Sequence, residues 1–147
     1  MAREILFKAK RECNGEWVEG SPVFYESGEV AIFNEKFTRY GHEATQIWKR
    51  TLVDKDTLCQ YTGLTDKNGN KIWENDVCNC QERGCGFFGC VVKWNRVMAR
   101  FDVNATGCDF AMTLEECVDD ISINGFDYEV IGSIFDNPEL LGGADNG

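Results

Sequence analysis

The sequence predicts a mostly β protein, because short runs of β-branched and aromatic residues alternate with turn residues along most of the chain. Asn-Gly pairs lie between several of these runs, as is typical of hairpin loops. Helical signals are few, which favours meandering hairpins over βαβ units. The predicted strands cover residues 5–7, 17–18, 23–25, 30–33, 72–73, 91–94, 98–103 and 129–135.

The hairpin loops are predicted from residues that tolerate a positive φ angle. Asn and Gly both do so, and a two-residue type I′ turn requires it at both positions. Ser27-Gly28 is a weaker signal of the same kind. The three Asn-Gly pairs are Asn14-Gly15, Asn68-Gly69 and Asn124-Gly125.

The segment around Asn68 also has a superficial likeness to a calcium loop. An EF-hand needs glycine and glutamate where this chain has Lys71 and Val77, and it needs flanking helices. We therefore interpret the segment as a hairpin turn in which Asp66 and Asn68 accept hydrogen bonds from local backbone N–H groups.

Two short helices are predicted. Thr113 and Glu116 fit a capping box, with Thr113 as the N-cap. Asn137 followed by Pro138 fits an N-cap and a proline in the first helical position. Residues 142–147 read as a flexible tail.

Composition and charge limit the classes of function. The chain has 147 residues with 43% apolar residues, enough for one domain with a core of its own. It has no apolar run of the roughly 18 residues that a membrane span needs. Residues 101–147 carry 11 Asp and Glu and no Lys or Arg, whereas residues 1–100 carry 14 acids and all 15 bases. This distribution disfavours binding of generic duplex DNA and favours a basic partner.

Several segments resemble the YopX-like proteins of bacteriophages and prophages, a family without an established activity. The central match is residues 60–77, QYTGLTDKNGNKIWENDV, and the ending is residues 128–141, YEVIGSIFDNPELL. Residues 3–5 and 15–20 look like the opening of the family, whereas residues 78–90 and 105–126 depart from its pattern. The resemblance implies a small SH3-like barrel over residues 51–141, preceded by a layer of β-hairpins over residues 1–50.

Four cysteines in the departing segment could hold a metal ion. Cys78 and Cys80 would share one face of a strand, and a Gly-rich hairpin could return Cys85 and Cys90 towards them. This is not the usual zinc spacing of two Cys-x-x-Cys knuckles, so we favour no metal and leave zinc as the alternative. A disulfide between Cys80 and Cys90 would require an oxidising compartment.

Catalytic signatures are absent from the sequence. His42 is the only histidine and is expected on a polar loop, and the chain has no nucleophile elbow or phosphate-binding glycine loop. Most aromatic residues are expected in the core. Trp48 and Tyr61 lie closest to predicted loops and are the candidate binding residues.

The sequence therefore predicts a phage or prophage accessory protein of the bacterial cytoplasm that binds a host or phage protein. An enzyme is the less favoured interpretation. Two alternatives remain open: a nucleic-acid-associated role using the basic and aromatic residues of the first 50, and a zinc-dependent role using the four cysteines.

Overall fold

The structure, a computed structural model, describes residues 4–40, 43–82, 85–104, 111–113 and 127–141. Its contacts divide the chain into two compact units, Met1–Gln60 and Tyr61–Gly147. Strands dominate both units, which confirms the mostly β prediction. In the described ranges no helix is long and apolar enough to cross a membrane.

The first unit is an antiparallel sheet followed by one turn of 3-10 helix. Its elements are β1 (Phe7–Lys10), β2 (Trp17–Phe24), β3 (Val30–Tyr40), β4 (Glu43–Val53), the 3-10 helix Lys55–Thr57, and the start of β5 (Cys59–Thr65). The strand order is β4-β3-β2-β1-β5, and Cys59 and Gln60 of β5 pair with β1.

One face of this sheet carries the core of the first unit. An antiparallel bridge between Arg11 and Val53 joins the chain just after β1 to the end of β4, so the sheet curls around that core. Gly20 permits a close approach, since a Cβ there would clash with the carbonyl oxygen of Phe33. The buried core cluster is Ala9, Val18, Val30, Ile32 and Val53, with Phe7 and Leu58 packed against it.

The second unit contains the β5–β6 hairpin and a five-stranded antiparallel sheet. Its elements are the rest of β5, β6 (Lys71–Trp73), β7 (Asp76–Glu82), β8 (Cys85–Asn95), β9 (Arg100–Asn104), β10 (Ala111–Thr113), β11 (Asp127–Ser133) and the 3-10 helix Pro138–Leu140. The sheet order is β10-β9-β8-β7-β11. Ile72, Val77 and Val92 are fully buried in this unit.

Neither strand order closes on itself within the described ranges. The barrel was predicted over residues 51–141, and among the described residues there the sheet runs from β10 to β11 without pairing its two edges. The SH3-like barrel therefore stays a prediction.

The hairpin loops differ from the two-residue type I′ turns predicted from the sequence. In the loops Tyr25–Glu29 and Asp66–Asn70, the glycine donates its N–H to the carbonyl three residues earlier. The first residue of each loop donates its N–H to the carbonyl of the last residue. Positive φ occurs at Gly28 and Gly69, at +93° and +82°, but not at Asn68. These are three-residue loops in which glycine follows a turn and takes the left-handed conformation.

The Asn14-Gly15 loop is longer still. Arg11 pairs with Glu16 across it, and only Gly15 has a positive φ. The type I′ prediction is therefore wrong for both described Asn-Gly pairs, and Asn124-Gly125 lies outside the described residues.

The predicted C-terminal helix is present as a single 3-10 turn, Pro138–Leu140, with Pro138 in its first position and Asn137 before it. Asn137 makes no side-chain cap to this turn. Its Oδ1 instead accepts the N–H of Ser133 at 3.3 Å. Of the predicted capping box, Thr113 ends β10 and Glu116 lies outside the described residues.

Candidate functional site

Asp66 lies in the middle of the central signature, and both of its carboxylate oxygens accept hydrogen bonds from the backbone. Its Oδ1 accepts the N–H groups of Asn68 and Asn70, both at 2.9 Å, as the sequence predicted. Its Oδ2 accepts the N–H of Val130 at 3.0 Å. This buried carboxylate therefore ties the β5–β6 loop to β11 and serves the architecture of the second unit.

A second buried carboxylate, Asp76, organises the turn between β6 and β7. Its Oδ2 accepts the N–H of Trp73 at 2.8 Å. Asn75 in this turn has a φ of 70°, donates its N–H to Val92 and accepts the N–H of Ile134. The turn is thereby fixed to β8 and to the segment that follows β11.

The C-terminal signature has the same architectural role. A Cβ at position 132 would clash with Oδ1 of Asn137, so the Asn137 side chain occupies the space that Gly132 leaves. Asp136 donates its N–H to Oγ of Ser133 at 3.1 Å. The signature residues thus hold loops in place, and their polar groups are used in doing so.

The two candidate aromatic residues have different environments. Tyr61 is 7% exposed and its ring lies 5.6 Å from that of Trp73, with Nζ of Lys71 above it at 5.4 Å. Trp48 is 62% exposed on β4, opposite Glu35 of β3. Of the two, only Trp48 offers an accessible aromatic face.

The cysteines are placed by the pairing of β7 with β8. Cys78 lies opposite Cys90, and both are buried, whereas Cys80 lies opposite Phe87 and Cys85 opposite Glu82. An irregularity between Cys78 and Cys80 shifts the register, so that Cys78, not Cys80, faces Cys90. The side chains of Cys80 and Cys85 lie outside the described residues, as does His42.

Strand geometry separates the four cysteines further. Cys85 and Cys90 are five residues apart on one strand, a distance of roughly 15 Å between Cα atoms. A tetrahedral zinc site needs all four sulfur atoms about 2.3 Å from the ion. In the described part of the chain, no group of three His, Cys, Asp or Glu side chains is close enough to hold a metal ion.

The connection between β8 and β9 exposes several large apolar side chains, which the sequence did not single out. We call Trp94, Val97 and Met98 the apolar turn. Val97 is 85% exposed and Met98 57%. Oδ1 of Asn95 accepts both of their N–H groups, at 3.0 and 3.1 Å, so the backbone that carries them is held.

A buried acid stabilises the apolar turn through hydrogen bonds. Asp102 is 3% exposed and accepts Nδ2 of Asn95 on one oxygen and Nε of Arg100 on the other, each at 2.8 Å. Trp94 contacts Phe101 edge to face, with ring centroids 4.9 Å apart. The turn is thus a fixed projection with an apolar surface.

The first unit has a cleft of about 500 Å³ at the bridge between β1 and β4. We call it the basic cleft, and its lining is Arg11, Glu12, Cys13, Lys49, Arg50, Thr51 and Leu52. The Arg50 guanidinium lies over the ring of Tyr25 at 5.1 Å, and its Nε donates to the Tyr25 hydroxyl at 2.6 Å. Three cations and one acid therefore line the cleft.

Two residues that line the cleft each have a buried polar atom without a hydrogen-bond partner among the described residues, Nε of Arg11 and Oγ1 of Thr51. Their burial follows from the fold. Arg11 lies opposite Val53, and Thr51 precedes Val53 by two residues on the same face of β4, so both adjoin the core cluster. The sequence indicated that Arg11, Lys49 and Arg50 are among the basic residues of the first 50. It did not show that the bridge between Arg11 and Val53 brings the end of β1 next to β4.

The described fold and these sites define a mostly β protein of antiparallel sheets whose signature residues maintain loops. A family model described as YopX protein matches residues 6–142. The chain therefore belongs to the YopX family, which confirms the resemblance noted in its sequence.

Comparison with solved structures identifies a protein of similar fold. A crystal structure of protein EF1440 from Enterococcus faecalis is similar with a TM-score of 0.61 and 21% identity, over 95% of this chain and 99% of that chain. At that identity the similarity shows the fold alone. No curated protein matches the sequence.

Proposed function

We propose that this protein is a binding module that contacts a host or phage protein through the apolar turn. The observation that carries the proposal is the exposure of Trp94, Val97 and Met98 within five residues. Exposed apolar residues that cluster in this way are characteristic of protein interaction sites, and Trp and Met are enriched in interfaces.

The rigidity of the turn supports the same function. Asn95 and Asp102 hold the backbone before any partner arrives. A surface that is already ordered loses less conformational entropy on binding, so a larger part of the contact energy appears as affinity.

The charge of the chain indicates what kind of surface the partner has. Residues 101–147 carry 11 acids and no Lys or Arg. We expect this acidic segment to attract a partner with a basic surface over a distance of about 10 Å and to repel an acidic one.

The proposal also includes the origin of the protein and its location in the cell. Family membership supports a phage or prophage accessory protein that acts in the cytoplasm of a bacterial host. The SH3-like barrel over residues 51–141 is part of the same proposal, and its support is family membership.

The test is a comparison of the wild type with the double variant Val97→Ser/Met98→Ser. Each would be used to capture proteins from lysate of a bacterial host, with and without nuclease treatment, and any protein enriched by the wild type would then be purified and titrated by calorimetry. We expect at least a tenfold loss of affinity in the double variant, because truncation of interface anchors typically costs about 1–2 kcal/mol or more. Its melting temperature should be unchanged, since both side chains are exposed.

Phe24→Ser is the matched control, because Phe24 is 66% exposed in the first unit. It should bind the partner as the wild type does. Equal affinity of the double variant and the wild type would contradict the proposed contact surface. Capture that depends on nucleic acid, and is lost after nuclease treatment, would favour the nucleic-acid alternative.

A further inference from the structure

Two buried cysteines of the second unit, Cys78 and Cys90, form a pair that has no part in the apolar turn. Cys78 on β7 lies directly opposite Cys90 on β8, and the two residues are 0% and 2% exposed. Residues that lie opposite each other in antiparallel strands have their side chains on the same face of the sheet. The two thiols are therefore neighbours in the interior of the second unit.

This arrangement depends on a one-residue shift between the two strands. Cys80 lies opposite Phe87. A regular ladder continued from that pair would place Cys78 opposite Gly89. The shift occurs where Gly89 has a φ of +69° and donates its N–H to Oδ1 of Asn79 at 3.2 Å. A bulge with glycine in the left-handed conformation is a specific feature of a strand pair, so the fold itself brings the two thiols together.

The spacing of such a pair suits a disulfide. Residues opposite each other in an antiparallel pair have Cα atoms about 4.5–5.5 Å apart, within the range of about 4.4–6.8 Å that disulfides span. Their Cβ atoms are about 4.5–5.5 Å apart, whereas a disulfide prefers about 3.5–4.5 Å, so bonding draws the strands slightly together. A bond under such strain is reduced more easily than a relaxed one.

We propose that Cys78 and Cys90 are a site of reversible disulfide formation, with a small-molecule disulfide such as oxidised glutathione as the oxidant. The thiolate of one cysteine attacks a sulfur of oxidised glutathione, which forms a mixed disulfide and releases one glutathione. The thiolate of the other cysteine attacks the protein sulfur of that mixed disulfide and releases the second glutathione. The protein gives up two electrons and the protons of its two thiols, and the two released glutathione molecules take them up.

Burial determines when this exchange takes place. Both sulfur atoms belong to buried residues, and buried thiols are inert while the protein is folded. The bond therefore forms while the chain folds, or during an opening of β7 and β8 that exposes the pair. In a reducing cytoplasm the pair stays as two thiols, and it is oxidised where the surroundings are oxidising.

Refolding of the full chain from urea in glutathione buffers tests the proposal, with a chelator present so that no metal competes for the thiols. One buffer contains mostly oxidised glutathione and the other only reduced glutathione. We expect peptide mapping, after the remaining thiols are blocked, to identify a Cys78–Cys90 disulfide in the first sample and none in the second. Because the bond closes a loop over residues 78–90, it should raise the melting temperature by about 5–10 °C. A second cycle of unfolding and refolding in reduced glutathione should remove both the bond and the gain.

Cys78→Ala and Cys90→Ala each remove one of the two sulfur atoms, so neither variant should gain stability in the oxidising buffer. Cys13→Ser is the matched control, because Cys13 is exposed in the first unit, and it should form the same bond with the same gain. If an alanine variant does not fold, the mapping of the wild-type bond still decides the matter. The proposal is overturned if Cys78 and Cys90 both stay as thiols in the oxidising buffer, or if either is bonded to a different cysteine.

Discussion

At the scale of single residues, buried acids in the second unit hold the chain together by accepting backbone N–H groups. The sequence was sufficient to predict that Asp66 serves its own loop, because Asp at the start of a turn commonly accepts local N–H groups. It could not show the third hydrogen bond, from Val130, which is 64 residues further along the chain. The basic cleft escaped prediction for the same reason: Arg11 and Thr51 line one cavity only after β1 and β4 have met.

Gly69 gives a residue-scale prediction. It has a φ of +82°, and a Cβ added to it would have no atom within 4 Å, so a side chain there is opposed by backbone strain alone. Gly69→Val should lower the free energy of unfolding by about 1–3 kcal/mol. Urea denaturation measures this change.

Asn68→Ala is the matched control at the neighbouring position. Asn68 does not have a positive φ, so alanine should cost little strain there. An equally large loss in Asn68→Ala would show that the loop takes the two-residue type I′ form in solution.

At the scale of elements, the strands that were predicted are those with concentrated β-branched and aromatic residues. Several others were missed, and β4 is the longest of them. Its sequence, EATQIWKRTLV, mixes charged and apolar residues without alternation, and eleven pairs with β3 make it a strand. Loop lengths were mispredicted because the Asn-Gly signal does not distinguish a two-residue turn from a three-residue loop ending in glycine. Whether a segment forms a strand, and how long its hairpin loop is, both depend on pairing with residues that are remote in sequence.

The paired strands β7 and β8 give a prediction about metal. We expect protein purified under reducing conditions to carry no stoichiometric zinc, because the strand places Cys85 roughly 15 Å from Cys90. A chelator should leave the melting temperature unchanged. Elemental analysis and thermal unfolding are the measurements.

A structural thiolate site would behave differently, since its metal contributes directly to folding. About one zinc per chain, together with unfolding on chelation, would establish the zinc alternative. Cys13→Ser serves as a control, because Cys13 is exposed in the first unit and belongs to no part of the cysteine cluster.

At the scale of the whole molecule, charge is distributed unevenly along the chain. The formal net charge is −10, and all Lys and Arg lie in residues 1–100. The basic cleft concentrates three cations in the first unit. A duplex presents a long row of phosphates, which extends beyond a compact cluster of this size and is repelled by the rest of the molecule.

The corresponding prediction is that the protein does not bind random duplex DNA at physiological salt. Phosphate contacts release counterions only where cations can reach successive phosphates, and the acidic excess opposes this. A gel-shift titration with blunt duplex of random sequence tests it. Salt-sensitive binding in the micromolar range would refute it.

The signature segments stabilise loops, and this role does not depend on which residues form the apolar turn. Side-chain oxygens of Asp66, Asp76 and Asn137 accept backbone N–H groups, whereas Val97 and Met98 extend into solvent. Substitutions in the turn therefore have a small effect on folding, and a lineage could exchange one partner for another while its signature stays the same. Proteins grouped by this signature should share an architecture and diverge in what they recognise.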